Sequence, residues 1–156
     1  MSAQVGQAAP DFTLPDTAKA PVSLGSFKGK NVVLLFFPAA FTGVCTKEMC
    51  QTRDELSFYN GMNAEVLGIS VDMHFSLGKF KEAEKINFPL LSDFNKSVSK
   101  AYGTLFDNFA AVYNGVSKRS SFVIDKTGVI RFAQVLDNPG DFPDFDAIKK
   151  TLQGLN

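Results

Sequence analysis

The sequence predicts an α/β sandwich built on a mixed sheet, and three stretches carry that prediction. Asn31-Val-Val-Leu-Leu-Phe-Phe37 is continuously apolar after its first residue and rich in β-branched and aromatic side chains. Such a run suits a central strand buried on both faces. Glu65 to Asp72 has the same character, and after each of the two runs the apolar residues change to a helical period. Near the end of the chain, Arg119–Asp125 and Val129–Val135 flank Lys126-Thr127-Gly128 as a tight hairpin, and an amphipathic stretch follows. Strands that alternate with helices and then close with a hairpin and a helix imply layers packed on one sheet.

The elements follow in order. Residues 9–30 are punctuated by Pro10, Pro15, Pro21, Gly25 and Gly29, which reads as a short hairpin or extended arm before the first long strand. Cys45, Met49, Thr52, Leu56 and Tyr59 recur at steps of four and three, one face of a helix, with Lys47, Glu48, Arg53, Asp54 and Glu55 on its other faces. Asn60-Gly61 stops that helix. A helix over 76–86, a short extended piece at Phe88–Leu91 and a helix over 95–102 come next. Residues 104–118 show no clear period, and the last helix, 144–155, turns Phe145, Ile148 and Leu152 inward. The alternation alone fits a flavodoxin-like fold equally well. The closing hairpin and helix favour a thioredoxin-like fold with an N-terminal β extension, with residues 1–156 as a single domain.

Sixteen basic and sixteen acidic residues balance without clustering, which gives no support to nucleic acid or an anionic membrane as a partner. The longest apolar run is far too short to span a bilayer. Met1 to Gly6 has neither a basic nor an apolar leader character, so the expected location is cytoplasmic. Two cysteines do not make a disulfide scaffold. In a reducing compartment a bond between them would be transient, catalytic or redox-sensing. His74 is the only histidine and has no Cys, Asp or Glu at ligand spacing, and no phosphate-binding glycine motif occurs. Neither a metal nor a cofactor is expected.

The chemistry concentrates in Pro38-x-x-x-Thr42-x-x-Cys45, between the central strand and the first helix. A thiol reacts through its thiolate, and the first turn of a helix offers unpaired N–H groups and the positive end of the dipole to a negative sulfur. Pro38 ends the strand and shields the turn. The Thr42 hydroxyl both accepts and donates, so it can hold a substrate oxygen and orient the bond that the sulfur attacks. Taken singly, a buried cysteine is a small hydrophobe, a proline a turn residue and a threonine an N-cap. Their joint placement points to a nucleophile.

Pro38-x-x-x-Thr42-x-x-Cys45 is similar to the peroxiredoxin signature, and Phe36-Phe37-Pro38-x-Ala40-Phe41-Thr42-Gly43-x-Cys45 resembles the one-cysteine, AhpE-like branch. So do Phe88-Pro89-Leu90-Leu91-Ser92-Asp93, Ala101-Tyr102-Gly103 and Ser121-Phe122-Val123-Ile124-Asp125. The resemblance implies a thioredoxin fold and reduction of hydrogen peroxide and organic hydroperoxides through a cysteine sulfenic acid at Cys45. It implies a further site residue, Arg119, at the opening of the strand that ends in Ile-Asp. It also puts Glu48 where many members carry an acid, either paired with an arginine near the site or facing solvent. Arg131, inside the next strand, reads as surface. A homodimer face beside the site, using Phe41 and residues 106–113, is a further implication.

Cys50 departs from the AhpE-like pattern and matches the bacterioferritin-comigratory, or Q, type, in which a cysteine five residues on resolves the sulfenic acid. In an intact helix, Cα atoms five apart are separated by about 8.6 Å, whereas a disulfide wants them below about 7 Å. Resolution by Cys50 therefore requires the first helical turns to unwind. Thioredoxin, glutaredoxin or a low-molecular-weight thiol would then recycle the enzyme. The alternatives are a one-cysteine enzyme with Cys50 as bystander, a dithiol redox sensor, and an interaction module presenting the phenylalanines around Phe41 and Phe109.

Overall fold

The computed structural model describes residues 3–156. The chain opens on an antiparallel arm, β1 (Thr13–Pro15) with β2 (Pro21–Ser23). A short helical turn at Leu24–Phe27 leads into β3 (Asn31–Phe36). Then come α1 (Gly43–Asp54), α2 (Leu56–Gly61), β4 (Ala64–Ser70), α3 (His74–Glu84), β5 (Leu90–Ser92) and α4 (Ser97–Ala101). After an irregular stretch, β6 (Ser120–Ile124), β7 (Ile130–Val135) and α5 (Phe145–Gly154) close the chain.

The main sheet runs β5-β4-β3-β6-β7. Its β3–β4 and β4–β5 pairs are parallel, and its β3–β6 and β6–β7 pairs antiparallel. All six residues of β3 are buried because each face of the sheet has its own cover. Val33, Leu35 and Phe37 pack with Cys45, Met49, Leu77, Ile148 and Leu152, under the helices. Val32, Leu34 and Phe36 pack with Phe12, Leu14, Leu24, Val98 and Tyr102, under the N-terminal arm and α4. Burying each such side chain contributes roughly 1.5–3 kcal/mol, which explains why an unbroken apolar run sits at the centre. This is the thioredoxin-like α/β arrangement with an N-terminal β extension that the sequence predicts.

Two details seat the first helix. Gly68 on β4 faces α1, and a methyl group there would lie 2.7 Å from Leu90 Cδ2 and 3.5 Å from Met49 Sδ. The missing side chain lets Met49 rest directly on the sheet. Met49 is fully buried. The other detail corrects the expected single helix through Tyr59: α1 ends at Asp54, and α2 starts afresh at Leu56. Thr52 donates its hydroxyl to the Glu48 carbonyl, a back-bond that bends helices. The Glu55 N–H is then shared between the carbonyls of Gln51 and Thr52. The buried stripe survives the break, since Tyr59 is still interior.

Smaller offsets occur at element ends. β4 starts and stops earlier than the expected 65–72, and α3 begins at His74 rather than 76. Asp72 lies past the strand, where its carboxylate accepts from the Ser70 hydroxyl at 2.7 Å and the Ala40 N–H at 2.8 Å. The β6–β7 turn is pinned by Asp125. It accepts from the Thr127 hydroxyl at 2.7 Å, from Arg131 Nε at 2.6 Å and from the Val129 N–H at 3.1 Å. Burial alone would raise this carboxyl, yet those donors hold it well below the usual carboxylate range. No helix among the described residues is long and apolar enough to cross a membrane.

Candidate active site

The strand-to-helix turn is built from short backbone commitments. Phe37 still bonds to the sheet through its N–H, and Pro38, buried behind it, cannot extend the ladder. Ala40 is held by Asp72, and Phe41 then takes a left-handed conformation at φ 66°. A phenylalanine there is strained and persists only where its surroundings enforce it. Its ring stacks edge-on against Phe80 of α3 at 5.2 Å, although much of it remains exposed. Thr42 occupies the N-cap position in an extended conformation. Its hydroxyl donates to the Ala39 carbonyl at 2.9 Å instead of capping the helix. Thr42 also lines the cleft over the thiol.

Cys45 lies in the first turn of α1 and is only 1% exposed. Arg119 comes from the residue just before β6, where its carbonyl accepts from the Leu136 N–H. The guanidinium reaches across to the thiol, and Nη1 and Nη2 each donate to Cys45 Sγ at 3.3 Å. Nη1 also meets Glu48 Oε1 at 2.6 Å, and Nη2 the Pro139 carbonyl at 3.1 Å. A buried, fixed positive charge therefore touches a sulfur that itself belongs to the first turn of a helix, the positive end of its dipole.

Glu48 leaves the outer helix face that its period gives it and takes the other reading, the arginine pair. It is fully buried and paired with Arg119. Three residues beyond Cys45, it falls within a fraction of a turn of the buried stripe and so points at the same partner. Burial pushes its carboxyl up to about 7, against the charge and hydrogen bond of Arg119, which pull it down. Glu48 Oε2 and Arg119 Nε have no hydrogen-bond partner among the described residues.

Pro38, Thr42, Val44, Cys45, Phe109, Arg119 and Pro139 line a cleft of about 260 Å³ that opens to solvent over the thiol. Three of these, Val44, Phe109 and Pro139, escaped sequence reading as parts of the site. Pro139 contributes a backbone carbonyl, which no side-chain pattern signals. Phe109 lies in a segment without a period, in a turn where Ala110 and Ala111 both have positive φ.

The remaining residues singled out in the sequence lie elsewhere. Cys50 is half-buried in α1, and both cysteines are free thiols. It faces α3, where its thiol donates to Glu84 Oε2 at 3.5 Å. Burial raises the Cys50 thiol, as does the Glu84 carboxylate, with Arg53 opposing. His74 opens α3 and stacks on Phe75, away from the thiol cleft. Arg131 is half-exposed and pairs with Asp125.

The chain is similar to known proteins in sequence and in overall shape. A model of the AhpC/TSA family matches residues 5–133. Alkyl hydroperoxide reductase E of Mycobacterium tuberculosis is 42% identical over 143 residues, covering 90% of either chain. The crystal structure of the peroxidoxin BcpB from the same organism superposes with a TM-score of 0.86 at 30% identity, over 99% of both chains. A reduced 2-Cys peroxiredoxin from Plasmodium vivax superposes with a TM-score of 0.84 at 32% identity, over 96% of this chain and 80% of that one. With the family pattern running through the fold, the turn and the strand that delivers Arg119, the chain belongs to the AhpC/TSA family and is a peroxiredoxin, a peroxidase that works through a thiol.

Proposed function

We propose that Cys45 is the peroxidatic nucleophile, acting on hydrogen peroxide and organic hydroperoxides, and that Cys50 resolves the product. The observation that carries this reading is the pair of guanidinium donors at 3.3 Å from Cys45 Sγ, in the first turn of a helix. They stabilise negative charge on the sulfur before attack and on the departing oxygen as the O–O bond breaks. Sulfur attacks one peroxide oxygen, the other leaves as hydroxide or alkoxide and is protonated, and Cys45 becomes a sulfenic acid. Thr42 positions the substrate. Its own proton is given to Ala39, so it serves as the acceptor for a peroxide O–H. Pro38, Val44 and Phe109 give the cleft an apolar wall that also accommodates an alkyl group.

Resolution joins Cys50 to Cys45 and releases water. Both cysteines lie within one continuous helix, so α1 must open from its N-terminus for them to meet. Helix ends open at low cost. The disulfide would then be exposed to thioredoxin, glutaredoxin or a small thiol. Mass spectrometry after one equivalent of peroxide should find a Cys45–Cys50 disulfide within a single chain. A sulfenic or overoxidised Cys45 beside a free Cys50 thiol would establish the one-cysteine route instead.

Val112, Tyr113 and Phe41 are 70%, 60% and 57% exposed beside the cleft. Such apolar exposure suits a surface shared by two copies of the chain. Sedimentation velocity of the reduced protein should give a dimer, and a purely monomeric boundary at micromolar concentration would remove that part of the reading.

A further inference from the structure

Three contacts that the peroxide chemistry leaves unused tie the second half of α1 to the end of α3. Arg53 Nη1 donates to the Glu84 carbonyl at 2.6 Å, and Asn87 Nδ2 donates to the Arg53 carbonyl at 3.3 Å. Both reach backbone oxygens and hold α1 to the end of α3 and the loop after it whatever side chain stands at position 84. The third contact is of another kind, for it joins the Glu84 carboxylate to the Cys50 thiol at 3.5 Å. Lys85 ends α3 in a left-handed conformation, leaving Glu84 as the last helical residue, over Cys50.

We propose that Glu84 is a positioning residue that latches Cys50 to α3 as a protonated thiol and sets the rate at which it is released to attack oxidised Cys45. The inference rests on Cys50 being the resolving residue. A carboxylate can accept from S–H but can only repel a thiolate, so the contact favours the protonated form. The charged groups that face Cys50 are Glu84 from α3 and Arg53 and Asp54 from its own helix. Burial and Glu84 act in the same direction, Asp54 adds to them, and Arg53 alone opposes.

The latch has two effects. While Cys45 is reduced, Cys50 stays a thiol and does not compete for peroxide, because the thiolate is the attacking species. After Cys45 is oxidised, the Cys50 contact must break in the same event that unwinds the helix. Cys50 Sγ then attacks the sulfenic sulfur. The S–S bond forms and the S–O bond breaks, and the hydroxide leaves as water with the proton that Cys50 gave up. Cys50 is oxidised and the sulfenic sulfur is reduced, with peroxide as the original oxidant.

Glu84→Gln removes the charge and keeps an acceptor, and Glu84→Ala removes both. In a Cys45→Ser background Cys50 is the sole thiol, so the pH profile of iodoacetamide alkylation reads it directly. Both variants should shift that profile to lower pH. With Cys45 present, stopped-flow mixing with one equivalent of hydrogen peroxide should show unchanged oxidation of Cys45. Disulfide formation should be faster by about threefold to tenfold, the weight of one ordinary hydrogen bond. An unmoved alkylation profile overturns the proposal, as does disulfide formation that is unchanged or slower in both variants. If the profile shifts but even the unmodified chain forms no Cys45–Cys50 disulfide, the resolving role of Cys50 has failed, and the latch falls with it.

Discussion

Cys45→Ser protein should consume peroxide no faster than buffer and reductant alone, while its fold is kept. Serine has nearly the same shape, so the first turn of α1 and its burial are preserved. A hydroxyl does not ionise beside Arg119 at neutral pH, and without an anionic nucleophile the O–O bond has nothing to receive it. The check is a coupled assay with a thiol reductant, run beside circular dichroism. Substantial residual turnover with unchanged spectra would move the nucleophile elsewhere, and Cys50 is the only other thiol in the chain.

Arg119→Met should lose both activity and stability, for separable reasons. The rate of Cys45 oxidation should fall by roughly 10²–10³-fold, the usual cost of losing a fixed donor to developing charge. Stability should fall by about 3–5 kcal/mol, because Glu48 is left as an uncompensated buried acid. The sign of the pH dependence follows from Glu48, whose carboxyl sits at about 7 in the folded protein. A carboxyl raised on folding favours the native state fully below its unfolded value of about 4.5, and that contribution is lost as the pH rises through about 7. Removing Arg119 takes away the group that pulls Glu48 down, so the variant's deficit should be worst at alkaline pH and shrink on acidification. Adding Glu48→Gln to Arg119→Met should restore most of the stability and none of the rate. Denaturant melts at several pH values and stopped-flow oxidation kinetics separate the two. A double variant that regained activity would show that the guanidinium serves the fold and leaves the sulfur untouched.

The readable parts of the sequence are those where a residue's own type decides its place. Every position of β3 after Asn31 is apolar, so no register or neighbour is needed to assign it a central strand. Pro38 and Cys45 likewise declare a strand end and a helix start within a few residues of each other. Arg119 is different, since it reaches the thiol from 74 residues away and its strand-start position carries no local sign. Only the family resemblance pointed to it. For Glu48 the sequence leaves an arginine partner and solvent both open, because charge ordinarily seeks water, and the buried guanidinium decides between them. The break at Glu55 leaves no glycine or proline to mark it, and the Glu84 contact depends on how two helices happen to lie together. Pairings between distant side chains are the information that a linear pattern does not contain.

Met49 sits between the two cysteines, pressed onto the sheet above Gly68. Any opening of α1 wide enough to join Cys45 to Cys50 strains or withdraws that side chain. An oxidised form that gives up part of this packing is raised in free energy relative to the dithiol, and by thermodynamic linkage the same increment makes its disulfide a stronger oxidant. The bare patch left by one missing Cβ on a central strand would in this way help to set how readily the enzyme is recharged.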